Sequence, residues 1–419
     1  MHALAGPWGE IEPAGSLRPL VSVLPRVVAR LSGEAGLLEE AGSGLPRGAA
    51  WAEAVAVRLR QRGMSLEWGE PHVLPVNELL DVCEARGRSS VALMRADPAL
   101  LPELQVGAWL HATAAGRAVR RGLSRVRSGR TLGARGGQRA LRWALDAAFW
   151  RGVREAATGP EWRRVTGSYV ALAYHRLAGE GKPGQERLDL PAEAFHRQMR
   201  VLRLLRFTPL SEEDLVRLAE DPAATPPRRA YVVTVDDGFE DCVDPLASQR
   251  AARPQLFVPT AEVGGTAWWA GGEPLASWQR LEWLEQAGTR IGSHTRHHAT
   301  LPELDAAELR HELEGSRGEL DDRMARPLAL LAYPHGKHDL AVRSAARAAG
   351  YRGAWTTEPG RNGAGTDPFG LRRIGIKASD GVPAFLWKVL TGELLPSWWP
   401  AVRAGRTTAT RPSAPARSS

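Results

Sequence analysis

From residue 168 onward the chain predicts an α/β fold on a parallel sheet, and three observations carry that prediction. Short apolar, β-branched segments alternate with stretches of helix length, the order that builds strand–helix–strand units. One such segment, Val233-Thr234-Val235, runs straight into Asp236-Asp237-Gly238, as a buried strand does when it delivers polar groups to a sheet edge. With 419 residues, 43% of them hydrophobic, the chain is long enough for two or three domains and can bury a substantial core.

The elements follow in order. Tyr169–Tyr174, Tyr231–Val235, Gln255–Val258, Arg290–Ser293, Leu328–Ala332, Gly353–Thr356 and Leu371–Ile376 read as strands from their β-branched and aromatic content. Trp278–Ala287 and Ala306–Asp322 read as helices, with Asp305 placed to cap the second. Ahead of these, Val76–Met94 reads as a helix followed by a strand, so residues 1–105 are expected to hold a small α/β unit of unknown role. Residues 106–166 are expected to form an Arg-rich helical linker, and 167–392 the main domain. Residues 393–419 read as a basic disordered tail, because the last 20 residues are rich in Ala, Arg, Ser, Thr and Pro and contain no acid.

Charge is uneven. Residues 101–170 hold 13 Arg, no Lys and 4 acidic residues, a net of +9 against +8 for the whole chain. The stretch Arg117 to Arg154, with Trp143, Phe149 and Trp150 interleaved, suits a basic amphipathic helix lying on an anionic membrane. It equally suits a solvated linker in an Arg-rich sequence. No groove-reading or base-stacking motif accompanies the charge, so nucleic acid is not expected as a partner. Cys83 and Cys242 are the only cysteines and form neither a disulfide framework nor a zinc–thiolate pattern. Glu10 and Glu12 stand where a signal peptide would be basic, and no 18-residue apolar run occurs. The expected location is therefore the cytoplasm, with the inner membrane face as the surface the chain would meet.

Three motifs carry chemistry. In Asp236-Asp237-Gly238 two adjacent carboxylates repel, which is costly unless a cation or a proton holds one of them. Alone, the same three residues also suit a solvated turn. In Ile291-Gly292-Ser293-His294-Thr295-Arg296-His297-His298, two histidines stand four apart, so one helical turn would face both imidazoles the same way. Two neutral imidazoles and one carboxylate are a common ligand set for a catalytic metal with open positions, and Asp237 is the candidate carboxylate. In Leu330-Leu331-Ala332-Tyr333-Pro334-His335-Gly336, an apolar strand enters a Pro/Gly turn that would aim the His335 peptide N–H at an oxyanion. An ordinary strand-ending turn reads the same way.

In this order, Thr-x-Asp-Asp-Gly, Ser-His-Thr-x-x-His and Ala-Tyr-Pro-x-Gly resemble the polysaccharide deacetylases, the NodB homology domain or carbohydrate esterase family 4. Ala173-Tyr174-His175-Arg176-Leu177 resembles the opening strand of many members, Phe195 to Leu215 the helix and strand that follow, and Ala348-Ala349-Gly350-Tyr351 with Ala354-Trp355-Thr356-Thr357 a late helix–strand unit. The resemblance spans residues 168 to 380. It implies a distorted, partly open (β/α) barrel and a metal-dependent hydrolase acting on acetamido sugars in a glycan; the expected cytoplasmic location shifts the substrate toward a precursor, such as a lipid-linked or small amino sugar. It implies one divalent metal on Asp237, His294 and His298, zinc by default with cobalt or nickel able to substitute. Asp236 would be the general base, the His335 N–H the oxyanion donor, and Ser293 and Thr295 supports for the ligands.

Two departures stand out. The family's third motif often carries an Arg and an aromatic, where this chain has Ala332 and His335, so an Arg bracing the catalytic Asp is expected to be missing. The late Leu-x-His motif that usually supplies the general acid is replaced by Leu371-Arg372-Arg373. His175 on the opening strand is the first candidate for that acid, with His335 and His338 behind it. An active N-deacetylase and a glycan-binding protein that has lost turnover are the two readings. The retained Asp236 separates them, because binding alone does not require a base.

Overall fold

The computed structural model describes residues 40–50, 54–55, 57–58, 76–101, 104–110, 112–123, 137–177, 189–221 and 224–397. The expected tail therefore lies, from residue 398 on, outside the described residues, as do the first 39.

A nine-stranded sheet organises the larger part of the chain. Its centre is β1 (Ser168–Tyr174) and β3 (Ala230–Val235), which run parallel from Tyr169 opposite Ala230 to Tyr174 opposite Val235. Every residue of both except Ser168 is buried, as expected of parallel strands covered on two faces. The sheet continues through β4 (Gln255–Val258), β7 (Arg290–Ser293), β8 (Leu330–Ala332) and β9 (Gly353–Trp355), all parallel. On the far side of β1 lies β10 (Asn362–Gly363), while the short β2 (Thr208–Pro209) pairs with β3.

The sheet curls until its ends meet. Beyond β9, Leu371 bridges Trp355, and β11 (Ile374–Gly375) pairs in parallel with β1. The Leu371 N–H donates to Ala354 O at 3.0 Å and the Ile376 N–H to Ala173 O at 2.9 Å. One segment thus touches both ends of the sheet, and the expected distorted barrel is what forms.

Strand periodicity sorts the core into two layers. Val170, Leu172 and Tyr174 of β1 join Tyr231, Val233 and Val235 of β3 under helices α5 (Ala192–Leu204), α7 (Val243–Ala247), α8 (Trp278–Gln286) and α11 (Val382–Thr391). Tyr169, Ala171, Ala230 and Val232 face the other way, into a layer shared with Phe257, Leu330, Ala332, Trp355 and Leu371. Thr234 and Asp236 continue that second row. Helices α6 (Glu212–Glu220), α9 (Ala306–Arg323) and α10 (Leu340–Ala348) complete the cover. Asp305 caps α9 as expected, accepting the N–H groups of Ala307 and Glu308 at 2.8 and 2.9 Å.

In front of the sheet stands a helical layer: α1 (Val76–Ala96), α2 (Ala114–Leu123), α3 (Gly137–Ala156) and α4 (Gly159–Thr166). The strand expected within Val76–Met94 does not form. Leu79, Leu80, Cys83, Ser90, Val91 and Met94 recur at helical spacing and are all buried, and packing against α3 carries the helix through them. Contact is closest at two glycines: a Cβ on Gly87 would overlap Phe149 O, and one on Gly152 would overlap Glu84 O. The Arg-rich stretch expected to link two regions packs its helices into the same core as residues 41–110. Phe149 and Trp150 are fully buried there, so of the three interleaved aromatics only Trp143, 45% exposed, faces solvent.

Several arginines of this layer pair with carboxylates of the same layer. Arg120 grips Asp146 through two bonds of 2.8 and 3.1 Å, Arg151 meets Glu84 at 2.9 Å, and Arg95 meets Glu161 at 2.6 Å. Arg117 donates to Thr391 O at 2.8 Å, which places a cation at the carboxyl end of α11 and joins the layer to the barrel. Among the described residues no helix is long and apolar enough to cross a membrane.

Candidate functional site

The site lies at the carboxyl ends of β1, β3, β7 and β8, where strand ends place side chains on a rigid frame while leaving them room to react. The Asp236 N–H donates to Tyr174 O at 3.0 Å, extending the β1–β3 ladder by one step. Its two carboxylate oxygens each accept from Arg373, at 2.7 and 2.7 Å, and both side chains are almost wholly buried. Burial pushes the Asp236 carboxyl up, but the Arg373 charge, with His294 behind it, outweighs that and holds it below the usual carboxylate range.

Arg373 corrects the expectation that the brace was lost. Ala332 leaves the third motif without its Arg, yet the segment that closes the barrel brings Arg373 to Asp236. There its Nε also donates to Thr356 O at 2.8 Å and its Nη1 to Thr234 Oγ1 at 3.2 Å. This residue stands where the resembled family carries its late His.

Asp237, His294 and His298 form the one group among the described residues whose donor atoms suit a metal ion, lying within 4.8 Å of one another. Nε2 of His294 and of His298 stand 3.4 and 3.3 Å from Asp237 Oδ1, which is buried and accepts no hydrogen bond. A buried carboxylate oxygen facing two imidazole nitrogens and bonded to neither is what a cation-binding set looks like from its own side chains. The tautomer fits too: His294 Nδ1 donates to Ala332 O at 2.7 Å, leaving its Nε2 lone pair for a ligand role. Burial alone would push the Asp237 carboxyl up, but the two imidazoles hold it well below the usual range. His294 is raised because contact with Asp237 outweighs its burial, whereas for His298 burial prevails and lowers it.

The helical turn expected over His294–His298 is absent. Both leave β7 on an irregular loop in which Thr295 (φ 68°) and His298 (φ 58°) are left-handed, and that backbone, not an i, i+4 helix face, converges the rings. Asp237 (φ 73°) and His335 (φ 58°) share the conformation, so four of the seven described non-glycine residues with positive φ belong to this site. Glu312 on α9 pins the loop by accepting from the N–H groups of Arg296 and His297, at 2.8 and 3.0 Å, and from His297 Nδ1 at 2.6 Å.

Ser293 and Thr295 do not hold the ligands as expected. Ser293 Oγ donates to Ser316 Oγ at 2.9 Å and accepts the Thr295 N–H at 3.0 Å, so it shapes the loop, while Thr295 Oγ1 is buried without a hydrogen bond. The support for His298 went unseen in the sequence: Trp269 lies flat on its ring, centroids 4.3 Å apart and planes within 7°. That partner replaces a hydrogen bond, since His298 Nδ1 has none.

The three acid candidates separate. His175 is half-buried at the end of β1, and its charged form would act on both Asp236 and Asp237. The His335 ring meets His298 edge-on at 4.8 Å, and burial, followed by the nearby His294, lowers its pKa. His338 packs on Tyr333 at 4.9 Å and beside Arg343, away from the cluster.

Residues 223–354 match the family described as polysaccharide deacetylase. The class of protein this defines is a hydrolase acting on carbon–nitrogen bonds other than peptide bonds. Over that stretch the chain is similar to the polysaccharide deacetylase family. No curated protein matches it. Among solved structures, a Streptococcus pyogenes deacetylase in complex with acetate is similar at 20% identity and a TM-score of 0.47, over 53% of this chain and 98% of that one. A polysaccharide deacetylase from Bacillus cereus is similar at 21% identity and 0.46, over 53% and 69%. A de-N-acetylase from Aggregatibacter actinomycetemcomitans is similar at 16% identity and 0.45, over 53% and 99%.

Proposed function

We propose that this chain hydrolyses the acetyl group from an N-acetylated amino sugar, in a glycan or a lipid-linked precursor, with one divalent metal held by Asp237, His294 and His298. The observation that carries the proposal is the buried, unbonded Asp237 Oδ1 between two imidazole nitrogens, beside a second carboxylate kept ionised by Arg373. One hard and two borderline donors favour zinc, with cobalt or nickel able to substitute. Such an ion would supply Lewis-acid polarisation of the acetyl carbonyl and a lowered pKa for water.

The chain's own residues do the rest. Asp236 accepts a proton from the attacking water. Arg373 occupies one lone-pair direction on each Asp236 oxygen and leaves the others for that proton. The His335 peptide N–H, on its left-handed turn, meets the developing oxyanion. His175 protonates the departing amine, a poor leaving group without that proton, and His335 is the second candidate for this duty.

The same proposal assigns residues 167–392 to catalysis and the helical layer to support. An anionic membrane met through Arg117–Arg154 has the charge and the exposed Trp143 in its favour, while Phe149 and Trp150 are committed to the core. A glycan binder without turnover is the weaker reading, since binding does not call for a carboxylate held in place by a buried bidentate Arg.

Acetate release from N-acetylglucosamine oligomers and lipid-linked sugars tests the proposal, with metal stripped by chelation and then restored. Activity should vanish on stripping and return with zinc, cobalt or nickel. Full activity in the stripped protein would sink the metal assignment. No acetate from any substrate in the restored protein would sink the reaction.

A further inference from the structure

The hairpin that carries Trp269 offers a second tryptophan to solvent. β5 (Thr266–Ala267) and β6 (Glu273–Pro274) flank Trp268–Ala270, and the turn closes through Gly271 (φ 74°) and Gly272 (φ 79°). The hairpin is fixed to the catalytic strand's exit: the Ala276 N–H donates to Gly238 O at 2.9 Å, and Leu275 bridges Phe239. Glu273, buried, pairs with Arg176 at 3.0 Å, one residue past His175. Ala267 and Ala270 sit in the core on either side of the two tryptophans.

On this rigid mount the two indoles divide the work. Trp269 faces inward and stacks on His298. Trp268 stands edge-to-face with it, centroids 5.5 Å apart and planes at 87°, and is 65% exposed. A scattered exposed apolar residue needs no explanation. This one is held on both sides by buried alanines, only two ring contacts from the Asp237 cluster, and it presents a large flat face at little entropic cost. The face of an indole is electron-rich and attracts the polarised C–H groups of a sugar ring.

We propose that Trp268 is a stacking platform for the pyranose ring next to the one being deacetylated, so the enzyme prefers an oligomer to a single sugar. The inference rests on the deacetylase reading above and adds a neighbouring subsite to it. Wild type and Trp268→Ala, both metal-loaded, are compared by acetate release on N-acetylglucosamine and on its tetramer. Wild type should favour the tetramer. In Trp268→Ala the tetramer's kcat/KM should fall about tenfold through KM, the loss of one stacking contact, so that the preference collapses. Trp268→Phe should recover most of it. An unchanged tetramer-to-monomer ratio, or an equal fall on both sugars, overturns the platform. If wild type releases acetate from neither sugar, deacetylation fails, and calorimetric titration with the tetramer then judges the platform alone. Binding heat lost in Trp268→Ala supports it. Equal affinity in the two proteins, or no heat with wild type, overturns it.

Discussion

The helical layer and the lip of the sheet are both rich in charge and aromatic rings, yet they use them in opposite ways. In the layer, guanidiniums meet carboxylates, as Arg120 meets Asp146 and as Arg88 and Arg151 share Glu84, and Trp109 packs edge-on against Trp150 at 4.8 Å. Two glycines let α1 and α3 touch backbone to backbone. At the lip, Asp237 Oδ1, Thr295 Oγ1 and His298 Nδ1 are buried without hydrogen bonds, and four residues hold left-handed backbone. Buried polar atoms without hydrogen bonds occur in both, Ser90 Oγ and Trp109 Nε1 among them in the layer, so what sets the lip apart is its left-handed backbone and its converging donor atoms. The strain at the lip is sustained by the satisfied parts around it, above all by Arg373 and Glu312.

The largest effect should come from the smallest change at the lip. Asp236→Asn keeps shape but removes proton acceptance, so turnover should fall about 10²–10⁴-fold while metal content, read by elemental analysis, stays near one ion. Loss of metal with turnover little changed would exchange the roles of the two aspartates. Next is Arg373→Ala, which strands a buried carboxylate and should cost about 3–5 kcal/mol in denaturant unfolding. A cost below 1 kcal/mol would show that Arg373 is not the brace. In the layer, Gly152→Ala forces a methyl into Glu84 O and should cost about 1–3 kcal/mol, with kcat per folded molecule retained. Equal loss of kcat there would mean the two regions are not separable.

The smallest effect belongs to Glu161. Its carboxyl is lowered to about 2, chiefly by its hydrogen bond to Arg95, and it caps α4 with Thr158. A depressed folded pKa means its stabilisation is complete above the unfolded value of about 4.3 and fades as pH falls toward 2. Because Arg95 is half-exposed, Glu161→Gln should cost only about 0.2–1 kcal/mol at pH 7 and progressively less as pH falls through the folded value. A cost that does not shrink with acid would assign it to shape instead of charge.

Much of the lip was legible because each candidate ligand lies within a few residues of a strand whose pattern is plain. Asp237, His294, His298 and His335 came from three short motifs, and the seven predicted strands match the observed ones to within a few residues. What stayed hidden was set by long-range packing. The periodicity of Val76–Met94 did not reveal that α3 would carry the helix through, and a four-residue spacing did not reveal left-handed backbone at Thr295 and His298. Trp269 is unremarkable as a sequence neighbour of glycines and becomes a support for His298 only once the hairpin folds back. Arg373 gave no signal as a brace, since its partner lies 137 residues away.

That separation bears on how the protein is made. Asp236, Asp237, His294, His298 and His335 all leave the ribosome before residue 354, where the family match ends, and eighteen further residues must emerge before Arg373 does. Until then the nascent chain holds every motif residue but lacks the guanidinium that pairs with Asp236, and burying that carboxylate as an unpaired anion is costly. Synthesis at about 5–20 residues per second puts about one to four seconds between the end of that match and the emergence of Arg373. The last strand to be made is therefore a latch: its docking between β9 and β1 closes the barrel and brings Arg373 to Asp236 in a single event.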